Sequence, residues 1–95
     1  MPEGARQTVR FVVRGVVQGV GFRHFTVLKA RALRLDGWVR NEADGSVVVT
    51  ASGDAEALER FATLLESGPP AAQVSGVQRS AAEAMTPGEG FDVRR

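Results

Sequence analysis

The stretch TVRFVVRGVVQGVGFR, residues 8–23, changes its repeat in the middle, and that change sets the architecture. Val9, Phe11 and Val13 alternate with Thr8, Arg10, Val12 and Arg14, the period-two pattern of a half-buried strand over Gln7 to Arg14. Gly15, Gly19 and Gly21 then crowd a segment otherwise made of valines and Gln18, which predicts a break in the strand and a loop of unusual backbone angles. From Phe22 the apolar residues Phe22, Phe25, Leu28, Ala32 and Leu35 recur every three to four positions, predicting a helix to about Leu33 with that face on a sheet. Strand, glycine loop and helix follow one another without a spacer.

Further along, Leu35 to Asn41 predicts a second strand, and Glu42, Ala43, Asp44 and Gly45 a turn into a third, in which Val47, Val49 and Ala51 alternate with Ser46, Val48 and Thr50. Asp54 is the expected N-cap of a second helix carrying Ala55, Leu58, Ala62 and Leu65 on one face, ended by Gly68, Pro69 and Pro70. Val74, Gly76 and Val77 to Ser80 read as an edge-like fourth strand, and Gly90 to Arg94 as a short terminal one. The order strand, helix, strand, strand, helix, strand predicts an α/β two-layer sandwich, both helices on one face of a mostly antiparallel four- to five-stranded sheet. With 95 residues there is material for one such core, so residues 1–95 are expected to form a single domain.

Composition narrows the chemistry. The chain is 43% hydrophobic and 24% charged with net charge +1, which argues against the sequence-blind phosphate attraction of nucleic-acid binders, so no nucleic-acid partner is expected. No run is long and apolar enough to span a membrane and Met1 to Gln7 is too polar for a signal peptide, so a cytoplasmic protein without a membrane partner is expected. There is no cysteine and one histidine, His24, which leaves no thiol nucleophile and no multi-histidine metal site. Charge is uneven: residues 1–47 carry eight basic against four acidic side chains, and residues 48–95 four against seven. Any anion site belongs in the first half.

The loop from Gly15 to Arg23 has the right parts for one. Successive N–H groups can converge where glycines relax the backbone, the following helix adds its unpaired amides and positive dipole end, and Arg23 in the first turn can reach back with a forked guanidinium. Neither G-x-x-x-x-G-K-[ST] nor G-x-G-x-x-G is present, which disfavours a nucleotide triphosphatase. On the residues alone, a tight structural connection with a solvated arginine is an equal reading. Asn41, just before a turn, would ordinarily serve the backbone.

Gly15 to Arg23 resembles the G-x-V-Q-G-V-x-F-R signature of the acylphosphatases, and Gly37-Trp38-Val39-Arg40-Asn41 followed by Asp44-Gly45 resembles the family's second motif. The helix after Asp54, the Gly68-Pro69-Pro70 exit, the Val74 to Val77 strand and Gly90 to Arg94 are similar at like spacing, so the resemblance spans roughly residues 7–94. It implies a ferredoxin-like sandwich that hydrolyses a small-molecule acyl phosphate to carboxylate and inorganic phosphate, with no metal and no other cofactor. It also implies that Arg23 holds the phosphoryl group, that Asn41 orients the attacking water, and that Gly15, Val16, Val17, Gln18, Gly19 and Val20 cradle the phosphate.

Strand parity agrees, since Asn41 shares a side with Gly37 and Val39 and should leave the sheet on the helix-covered side. A monomer is expected, although an exposed fourth or fifth strand offers an edge for pairing. Two positions depart from the family pattern. His24 stands where an aromatic residue is frequent, and no catalytic role is assigned to it. Arg34 stands where glycine commonly finishes the first helix, so a differently shaped helix end is expected. The rival readings are an anion-binding module without turnover and an RNA-binding sheet, the latter requiring aromatic residues on the open face.

Overall fold

The computed structural model describes residues 6–95, so all of the amino-terminal stretch but Arg6 and Gln7 lies outside the described residues. The elements run β1 (Gln7–Val16), α1 (Phe22–Ala32), β2 (Asp36–Asn41), β3 (Val47–Gly53), α2 (Ala55–Ser67), β4 (Gln73–Ala81) and β5 (Phe91–Val93). They form a five-stranded sheet of order β4-β1-β3-β2-β5, antiparallel except between β2 and β5. Both helices pack on the face bearing Phe11, Val13, Val39, Val49 and Ala51, the ferredoxin-like arrangement. Phe61 of α2 is central to this layer, its ring 5.8 Å from Phe11 and 6.0 Å from Phe91, both edge-on. No helix among the described residues is long and apolar enough to cross a membrane.

Four local expectations are corrected. Gly15 does not end the first strand: β1 continues to Val16 through a register shift between Arg14 and Gly15, and a Cβ at Gly15 would run into the carbonyl of Gln73 on β4. The buried stripe of α1 is Phe22, Thr26, Val27 and Ala30, with Leu28 52% exposed and Ala32 also outside. Thr26 can be buried because its hydroxyl donates to the Phe22 carbonyl at 2.8 Å, so the buried face lies toward Thr26 and Ala30 and away from Leu28 and Ala32. β3 is buried along its whole length rather than alternately. On the sheet face away from the helices, Val48 and Thr50 lie beneath longer neighbours, with the Arg40 and Arg94 guanidiniums 5.1 and 4.9 Å from the Trp38 ring centroid.

The fourth correction concerns the end of α1. Leu35 N–H donates to the Ala30 carbonyl at 2.9 Å and Arg34 N–H to the Arg31 carbonyl at 3.0 Å, a Schellman closure around Arg34 at φ 59°. The left-handed cap is therefore made in full by a residue with a Cβ, where that conformation costs about 1–2 kcal/mol. Arg34→Gly is expected to stabilise the fold by about 0.5–1 kcal/mol after the extra unfolded-state entropy of glycine is counted, read as a higher urea midpoint. A lower midpoint would contradict the strain.

Asp36 closes the far end of the sheet. Its buried carboxylate accepts from Gly90 N–H at 2.7 Å, Gly88 N–H at 3.1 Å and Arg6 at 2.6 Å, fastening the loop that leads into β5. Burial pushes its pKa up, but the two N–H groups and the Arg6 guanidinium outweigh that and hold it below its ordinary 3.8. The stabilisation is therefore complete above the unfolded pKa and disappears as pH falls through the lower folded one. Below about pH 4 the wild-type urea midpoint should fall more steeply than that of Asp36→Asn; parallel curves would show no such linkage.

Candidate active site

β1 hands the chain to a short loop, Val17 to Gly21, that opens α1. Gly19 and Gly21 have φ of 74° and 79°, and Gly21 is the N-cap of α1 without any capping side chain. A left-handed N-cap suits glycine, and it leaves the first amides of the helix without the usual Ser or Asp acceptor. Among the described residues no backbone N–H from Val17 through His24 donates to a protein acceptor; the first helical bond is Phe25 N–H to the Gly21 carbonyl, 3.0 Å. A row of unpaired donors and the positive end of α1 thus meet at one place.

Arg23 and Asn41 share the hollow at that place, a cavity of about 180 Å³ lined by Val17, Gly19, Gly21, Phe22, Arg23, His24 and Asn41. Arg23 is half-buried and forms no ion pair among the described residues, although Arg14, Arg40, Arg60 and Arg79 all do. Asn41 ends β2 in the register Asn41↔Val47, and its Oδ1 is buried without a hydrogen-bond partner. A buried acceptor left unpaired costs about 1–3 kcal/mol, and no group of the fold among the described residues offsets that cost. Larger hollows beside Asp36 and at the start of β1 with the end of β4 contain neither residue, and in the first of them Asp36 is already fully engaged.

Not every residue expected in the cradle lines the hollow. Val17 and Gly19 do, joined by Gly21 and Phe22, which the motif reading left out. Gly15 sits back in the bulge against β4, Val16 is 53% exposed outside the hollow, and Val20 packs on the core. The Gln18 side chain turns away from the hollow and donates to the carbonyls of Glu42 at 2.8 Å and Ser46 at 2.9 Å. His24 is exposed at the rim. Phe11 is fully buried, as the alternation requires, so the stacking platform of an RNA-binding sheet is missing on β1.

The acylphosphatase family model matches residues 9–93. This chain belongs to the acylphosphatase family. It is 45% identical over 95 residues to the acylphosphatase of Salinibacter ruber, covering all of both chains. It is also 53% identical over 85 residues to that of Xanthomonas euvesicatoria pv. vesicatoria, covering 90% of this chain and 96% of the relative. The structure of an acylphosphatase from Coxiella burnetii superposes with a TM-score of 0.88 at 35% identity, covering 94% of this chain and 93% of that one. The acylphosphatase match spans both the glycine loop and the end of β2, so the two limbs of the hollow belong to one family unit.

Proposed function

We propose that Arg23 and the unpaired amides of Val17 to Gly21, continued by the first turn of α1, hold the phosphoryl group of an acyl phosphate while Asn41 Oδ1 accepts a hydrogen bond from the attacking water. The chain is an acyl phosphate hydrolase by family, and the observation that supports this division of labour is that Asn41, whose buried Oδ1 has no partner, lines the same hollow as an uncommitted guanidinium. The proposed cradle is shifted toward the helix relative to Gly15 to Val20, because Gly15 and Val16 lie outside the hollow.

An acyl phosphate is a mixed anhydride with a good leaving group, so positioning and charge neutralisation suffice. The water oxygen attacks phosphorus, the bond from phosphorus to the acyl oxygen breaks, and the carboxylate leaves with that electron pair. The water proton passes to a phosphate oxygen, since Asn41 is neither acid nor base at neutral pH. The guanidinium and peptide N–H groups supply the positive field that a metal would otherwise provide. We propose a metal-free, monomeric, cytoplasmic enzyme.

Purified protein is expected to hydrolyse benzoyl phosphate, with inorganic phosphate competing against substrate and a chelator leaving the rate unchanged. Non-competitive phosphate inhibition would place the anion elsewhere.

A further inference from the structure

We infer that the Gln18 side chain is a positioning residue that sets the distance between the phosphate cradle and Asn41, an inference that rests on the proposed roles of those two limbs. One carboxamide nitrogen spends its hydrogens on two carbonyls, Glu42 at 2.8 Å and Ser46 at 2.9 Å, residues 24 and 28 positions away. Those carbonyls flank the turn that follows Asn41. The Ser46 carbonyl also accepts Glu42 N–H at 2.9 Å, so the clamp grips the rung immediately beyond Asn41↔Val47, the last paired rung of β2 and β3. Among the described residues no other hydrogen bond joins the Val17 to Gly21 loop to this turn.

Among the described residues the remaining tie between β1 and the turn is the exposed Arg14–Asp44 pair at 3.4 Å, which joins the strand and not the loop. A planar amide engaged through both hydrogens has little rotational freedom, so it fixes the separation of the two limbs as well as their contact. Separation matters because phosphorus is to be held by one limb and water by the other. Displacement of reacting groups by about 1 Å is enough to lower a rate about 100-fold.

Gln18→Met keeps the length of the side chain and removes both donors. It is expected to lower kcat about 10- to 100-fold while the inhibition constant for inorganic phosphate changes less than about threefold, because the cradle amides are backbone groups. Since Gln18 acts through Asn41, adding Gln18→Met to Asn41→Ala should lower kcat less than about threefold further. Losses that multiply in the double variant, unaltered kcat in the single one, or weakened phosphate inhibition at full kcat would each overturn the inference.

Should Gln18→Met unfold, as judged by its thermal transition, Gln18→Asn replaces it, retaining the donors one carbon too far back and leaving the same outcomes to be read. The two failures are separable. Full turnover in Asn41→Ala would remove the water-orienting role itself, whereas a crippled Asn41→Ala with independent, multiplying Gln18 losses would remove only the clamp.

Discussion

Arg23→Ala is expected to lower kcat/KM by about 10³-fold or more and to weaken competitive inhibition by inorganic phosphate in parallel. Both effects are expected because the guanidinium has no carboxylate partner among the described residues and faces the hollow that holds the unpaired amides. A charge-assisted fork on a phosphoryl group contributes to ground-state binding, and it contributes more as charge redistributes over the oxygens in the transition state. Arg23→Lys should recover part of the phosphate affinity and little of the turnover, since a point charge cannot reproduce two parallel N–H bonds. Folding should survive, because no buried partner is orphaned by the change. Retention of phosphate inhibition by Arg23→Ala at wild-type strength would show that the guanidinium is not the anion ligand.

Asn41→Ala should behave differently, and the contrast is the sharper test. Turnover is expected to fall about 10²- to 10³-fold with phosphate inhibition nearly unchanged, as for the loss of a positioned polar group that meets the water and not the anion. Its stability should be unchanged or slightly higher, because the substitution deletes a buried acceptor that has no partner in the protein. Reduced activity with raised stability is the signature of a residue kept for chemistry. A marked drop in the unfolding midpoint of Asn41→Ala would instead assign the side chain to the turn.

The juxtaposition of Arg23 and Asn41 was legible because it depends on features that sequence carries directly. Parity along β2 puts Asn41 on the side of Val39, and the glycine-to-helix transition puts Arg23 at the amino end of α1. The strand and helix order was legible for the same reason, from the periods of two and 3.6 in the apolar pattern. What escaped were cases in which a polar group is satisfied locally or at long range. Thr26 bonds its own helix and so enters the core, and the buried face of α1 lies away from Leu28 and Ala32. Arg34 adopts a glycine conformation because the Schellman bonds hold it there. Gln18 reaches across 24 and 28 residues to two carbonyls, and nothing in the local pattern of a glycine loop foretells which way its side chain turns.

The position of β1 inside the sheet has a further effect, on how the molecule comes into being. Its Val9 pairs with Ala51 on one side and Ala81 on the other, so the first strand of this sheet is enclosed by two partners that are both made after it. Large loops must close before those pairings reward the closure, which slows folding relative to a helical bundle of this size. Until residues 73–81 emerge, one flank of the strand leading to the glycine loop is an open edge. Such an edge can recruit a neighbouring nascent chain in place of its own tail, so crowded synthesis is the stage at which this small sheet is most open to misassembly.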